Sequence, residues 1–163
     1  MSYDAPVAVR IRPLDPADAP ACDAIVLGLP YHFADEAGRA ACAAAVRTQP
    51  GFVVEEDADV LGFLTYERWF DDATEITWLA VRAARRRRGL GGMLVDRLAA
   101  ATAPEGRRLL IVLTVSPADG PDDVPDGYDA TRAFYEANGF VLTRDFPRYW
   151  DSDTPVLMTR ILW

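Results

Sequence analysis

The chain has 163 residues, of which 50% are apolar and 26% charged, and its 25 acidic and 17 basic residues give a net charge of −8. This balance repels phosphate backbones and so argues against generic nucleic-acid binding, while the apolar share is too high for a disordered chain. One hydrophobic core, and hence one domain over residues 1–163, is expected at this length.

No stretch approaches the roughly 18 consecutive apolar residues that span a bilayer. Met1 to Arg10 lacks a basic segment leading into an apolar one. A soluble, cytoplasmic protein with no membrane partner is therefore expected. Cys22 and Cys42 both lie in alanine-rich segments, which suits small buried hydrophobes better than a disulfide or a metal site.

Val7 to Ile11 alternates like an edge strand, and Pro13, Asp15 and Pro16 supply a turn and a cap for a first helix reaching about Leu27. Gly28 and Pro30 break that helix. Asp35 caps a second helix that runs to about Arg47 before Pro50, and Tyr31-His32-Phe33 lies between the two. Phe52 to Glu56, the turn Asp57-Ala58-Asp59 and Val60 to Phe70 read as a hairpin, followed by a third strand from Glu75 to Val81.

The charge then changes abruptly. Arg82 and Arg85 to Arg88 precede Gly89-Leu90-Gly91-Gly92 and a helix whose Leu90, Leu94 and Leu98 share one face. Leu109 to Val115 is an apolar run suited to the sheet centre and to cover on both faces. Pro117 to Gly127 reads as a loop, Asp129 to Ala137 as a helix ended by Asn138-Gly139, and Phe140 to Phe146 and Pro155 to Trp163 as closing strands.

The order strand, basic run, glycine turn, helix builds an anion site. First-turn N–H groups carry partial positive charge, glycines allow close approach, and arginines add forked donors. Neither better-known phosphate loop fits. The dinucleotide fingerprint needs glycine or alanine where Leu94 stands, and the other needs a lysine after the turn. A tight turn before a core helix, with solvated arginines, accounts for the same residues structurally.

The stretch Glu75-Ile76-Thr77-Trp78-Leu79-Ala80-Val81 followed by Arg86-Arg87-Arg88-Gly89-Leu90-Gly91 resembles the fourth strand and pyrophosphate loop of the GNAT superfamily of acyl-CoA-dependent N-acyltransferases. Phe134-Tyr135-Glu136-Ala137-Asn138-Gly139-Phe140 is similar to the second signature of that family. The resemblance implies an α/β fold with a mixed, mostly antiparallel seven-stranded sheet, four flanking helices and splayed central strands.

It also implies acetyl-CoA as cosubstrate and no metal. Backbone groups of Leu79, Ala80 and Val81 would pair with the pantetheine arm and steady the oxyanion, while Arg86, Arg87, Arg88, Gly89, Leu90, Gly91 and Gly92 would hold the pyrophosphate. Where many members have an asparagine, this chain has Tyr128.

An amine acceptor is mostly ammonium at neutral pH, with a pKa of about 10.4 for a lysine-like group, so a base is needed. Resemblance gives that role to Glu75 and the general-acid role to Tyr135. A solvated strand-end carboxylate and a tyrosine packed between helix and sheet are the plain structural alternatives. Tyr31, His32 and Phe33 line the expected acceptor pocket, with His32 an alternative base. Trp69 and Phe70 can shape that pocket too, and Asp71, Asp72, Asp122, Asp123 and Asp126 can attract a cation.

The expected partner is a small-molecule or peptide amine, with no nucleic acid, and the assembly state, a homodimer included, stays open. Two rivals remain: a non-catalytic acyl-CoA sensor or scaffold, and a nucleic-acid domain built on the arginine run, which the net acidity opposes.

Overall fold

Proline and aspartate set the first elements of the fold, which a computed structural model describes over residues 8–163. Strand β1 (Val9–Pro13) leads to a short 3-10 turn in which Asp15 accepts from the amide of Ala17 at 2.8 Å, while Asp18 accepts from the amide of Asp15 at 2.9 Å. Val7, the expected start of this strand, lies outside the described residues. Helix α1 (Ala19–Leu27) follows, and Asp35 caps α2 (Glu36–Thr48) by accepting from the amide of Gly38 at 3.1 Å.

Strand β2 (Gly51–Glu56) pairs with β3 (Asp59–Trp69) through a two-residue turn at Asp57 and Ala58, both with positive φ, the primed geometry that matches strand twist. Then come β4 (Ala73–Val81), α3 (Leu90–Thr102), β5 (Leu109–Val115), α4 (Tyr128–Ala137), β6 (Val141–Asp145) and β7 (Pro155–Ile161). The seven strands form one mostly antiparallel sheet in the order β1-β2-β3-β4-β5-β7-β6. The fold is thus α/β, with the expected seven strands and four α-helices among the described residues.

The chain divides into two compact units. One comprises the described residues through Thr65 with Trp78–Arg97, and the other Tyr66–Thr77 with Leu98–Trp163. In the first, Cys22, Ile25, Val26, Phe33, Cys42 and Phe63 are core residues. Both cysteines are free, and burial pushes their thiols up to about 12, the behaviour of small hydrophobes.

The same unit buries two carboxylates, each held by arginine. Arg12 forks onto Asp18 at 2.7 and 2.8 Å and reaches Glu55 at 2.9 Å, and Arg10 also pairs with Glu55. Arg12 chiefly holds the Asp18 carboxyl below its usual range, and Arg10 does the same for Glu55.

In the second unit, β5 pairs in parallel with β4 over Ala73–Ile76 and antiparallel with β7 along its whole length. The parallel register ends at Ile76↔Val112, although β4 continues to Val81 and β5 to Val115. Burial along β5 alternates, with Leu110 and Val112 buried and Leu109, Ile111 and Leu113 half-buried, so the expected cover on both faces is incomplete. Helix α4 closes at Gly139 with φ 87°, where Phe140 donates its amide to Tyr135 O at 3.0 Å, a glycine C-cap.

Candidate active site

Strand β4 hands over to the basic segment at Arg82, whose amide donates to Leu61 O at 2.7 Å and whose guanidinium forks onto Asp59 at 2.9 and 3.0 Å. Arg85 pairs with Glu56 at 2.9 Å. These two arginines therefore tie the segment to the ends of the β2–β3 hairpin. The hairpin also comes close to the strand itself, because a Cβ at Gly62 would sit 3.0 Å from the carbonyl oxygen of Ala80.

The turn into α3 holds two left-handed residues, Arg87 at φ 64° and Gly89 at φ 75°. For a long side chain such as arginine this conformation is uncommon, and enforced backbone strain concentrates at functional sites. The first helical bond runs from the amide of Met93 to Gly89 O at 3.0 Å, so the amides of Leu90, Gly91 and Gly92 belong to the first turn, where a helix supplies no acceptor of its own. A Cβ at Gly89 would meet nothing within 4 Å, leaving open space above the turn. An exposed turn with first-turn amides and arginines suits an anionic diphosphate.

Glu75 does not start its strand, as the sequence suggested. It is the third residue of β4, in register with Ile111 of β5, and is half-buried. Trp69 donates its indole Nε1–H to Glu75 Oε2 at 2.6 Å. Burial raises the carboxyl above its ordinary range, the Trp69 bond opposes that rise, and Glu67 adds to it. A carboxyl moved in that direction suits proton acceptance near neutrality.

Tyr135 lies on α4 at 5% exposure, with ring centroids 5.0 Å from Phe134 and 5.2 Å from Phe140. Burial pushes its hydroxyl up, so it stays protonated through the neutral range and can serve as a donor.

Residues 47–142 match the family description Acetyltransferase (GNAT) domain, a span that includes β4, the basic turn, α3, β5 and α4. The chain belongs to the GNAT acetyltransferase family.

Solved structures agree with this GNAT assignment in fold. A GNAT-family protein from Desulfovibrio desulfuricans is 22% identical with a TM-score of 0.80, over 96% of this chain and 100% of the other. The ribosomal-protein-S18-alanine N-acetyltransferase from Escherichia coli is 18% identical with a TM-score of 0.72, over 95% and 94%. A GNAT family acetyltransferase from Elizabethkingia anophelis with acetyl-CoA bound is 16% identical with a TM-score of 0.66, over 94% and 98%. No curated protein is significantly similar in sequence.

Of the other candidates in this GNAT chain, Phe33 is 8% exposed and its ring lies 5.7 Å from that of Trp78 on β4, so it is a core residue that anchors the loop between α1 and α2. Tyr31 is exposed and meets the ring of half-buried His32 edge-on at 5.2 Å. Asp72 is engaged by Arg108 at 2.9 Å, and Asp122 accepts from the amide of Asp129. The residue role that the sequence reading missed is the bond from Trp69 to Glu75. Among the described residues there is no group of three or more His, Cys, Asp or Glu that could hold a metal, and no helix long and apolar enough to cross a membrane.

Proposed function

We propose that this protein transfers an acetyl group from acetyl-CoA to a primary amine of a small molecule or peptide, by direct attack of the amine within a ternary complex. Residues 1–163 would form a single N-acyltransferase domain working in the cytoplasm. The observation that carries the reading is the turn from Arg86 into α3, with its left-handed Arg87 and Gly89 and the open space over Gly89. In that reading Arg86, Arg87 and Arg88 and the amides of Gly89, Leu90, Gly91 and Gly92 hold the diphosphate, and the backbone of Leu79, Ala80 and Val81 pairs with the pantetheine arm. Acetyl-CoA supplies the activated thioester carbonyl.

Glu75, with its carboxyl raised by burial, takes a proton from the ammonium group of the acceptor. The freed nitrogen attacks the thioester carbonyl, and as the tetrahedral adduct collapses the C–S bond breaks and the nitrogen gives up its second proton to water. Tyr135, protonated at neutral pH, gives its proton to the leaving sulfur. Tyr31 and His32 supply a polar, aromatic edge for the acceptor, with Phe33 fixing the loop from below. Neighbours of the same fold bear on the substrate class by name only, one as a ribosomal-protein-S18-alanine N-acetyltransferase and another as an aminoglycoside 6′-N-acetyltransferase complexed with coenzyme A.

The test is thiol release from acetyl-CoA against a panel holding a polyamine, an aminoglycoside, free amino acids, an alanyl peptide and a lysyl peptide. Release that depends on one class of amine is expected. A flat response across the panel, with acetyl-CoA still bound, would identify a non-catalytic acyl-CoA-binding module instead.

A further inference from the structure

The turn between β3 and β4 is held more firmly than a surface turn requires. Asp72 O accepts from the amides of Arg108 at 2.8 Å and Leu109 at 3.0 Å, and the guanidinium of Arg108 forks onto the Asp72 carboxylate at 2.9 and 3.1 Å. Arg107 donates to Ala73 O at 2.7 Å and to Phe70 O at 3.3 Å. Phe70, between them, has a left-handed backbone at φ 51° although its side chain is 93% exposed, so burial of its ring does not offset the strain. What this enforced geometry fixes is the course of the chain between Trp69 and Glu75.

Trp69 is the last residue of β3, is 46% exposed, and spends its one side-chain donor on Glu75 Oε2 at 2.6 Å. A carboxylate has two oxygens, and engaging one fixes its plane and leaves the other for a second partner. We infer that Trp69 is a positioning residue: its indole N–H holds Glu75 Oε2, so that Oε1 is aimed to take the proton of the acceptor amine, with Arg107 and Arg108 setting the turn. This role rests on the reading of Glu75 as the base.

The electrostatics give the role a signature. Burial and Glu67 of β3 raise the Glu75 carboxyl, the Trp69 N–H lowers it, and the β5 register partner, Ile111, is uncharged. Removing the N–H therefore raises the carboxyl further. A base that works only when ionised then loses rate from the acidic side.

Two readouts on the full chain test this. The first needs no acceptor: carbon NMR of labelled glutamate side chains follows the Glu75 carboxyl through a pH titration, with Glu75→Gln identifying its signal. In Trp69→Phe its midpoint is expected about 1 pH unit higher, as befits the loss of a hydrogen bond to a charged group. The second is the pH profile of kcat/KM with the panel amine that releases thiol fastest. There the acid limb moves the same way, and kcat near neutrality falls about tenfold with KM for acetyl-CoA little changed.

Trp69→His, which returns a ring N–H, recovers part of that rate and covers the case in which Trp69→Phe folds poorly. An unchanged midpoint and profile in Trp69→Phe, with the limb absent in Glu75→Gln, overturns the positioning role and leaves Glu75 as the base. An acid limb that survives Glu75→Gln overturns the base assignment, and the role of Trp69 with it.

Discussion

Glu75→Gln lowers kcat/KM at neutral pH by about a hundredfold or more, the scale of a positioned proton acceptor, and leaves affinity for coenzyme A unchanged. Glutamine keeps the shape of the side chain and an oxygen for Trp69, so the loss isolates proton acceptance. The sign of the pH dependence follows from burial. A carboxyl raised above its ordinary value takes up its proton at a higher pH than a free one as the pH falls, so the parent protein loses activity on the acidic side, whereas the variant has no such limb. Thiol release is a clean assay here, because the thiols of Cys22 and Cys42 are buried and pushed up to about 12.

Gly89→Val weakens coenzyme A binding by more than about tenfold, and a matched glycine elsewhere separates this from loss of stability. Gly89 at φ 75° and Gly106 at φ 83° are both left-handed, and a Cβ at either meets nothing within 4 Å. Valine should therefore cost each site a similar strain of about 1–2 kcal/mol. Melting curves for Gly89→Val and Gly106→Val are expected to shift together. Only Gly89→Val should lose heat of coenzyme A binding, because only there does the new side chain stand where a diphosphate would lie.

Much of the fold was legible because its punctuation is local. Asp35 caps α2 where a short acceptor before an apolar run predicts, Asp15 caps the 3-10 turn ahead of α1 rather than α1 itself, and Gly139 ends α4 as an αL glycine should. The ends of β5 fall at Leu109 and Val115 as expected, since Gly106 and Pro117 bracket it. The glycine turn before α3 was equally plain, since Gly89 carries the positive φ that its residue type suggests.

What was not legible depends on partners distant in sequence. Glu75 looked like the first residue of its strand, but β4 begins at Ala73 because the segment carrying Arg107 and Arg108 clamps the preceding turn and sets Ala73 against Leu109. Arg82 and Arg85 looked like part of one basic run with Arg86 to Arg88, yet Asp59 and Glu56 engage them. Phe33 looked like a pocket residue, and Trp78 makes it core. In each case residue type was read correctly, and the partner that decides its use came from another strand.

In the proposed function, the turn from Arg86 to Gly92 binds a coenzyme A diphosphate. Isothermal titration of the purified, folded protein with coenzyme A tests it most directly. Saturable heat at one site per chain is expected, reduced by rising salt as a contact between arginines and a diphosphate should be. A folded protein that gives no heat with coenzyme A or acetyl-CoA would contradict it.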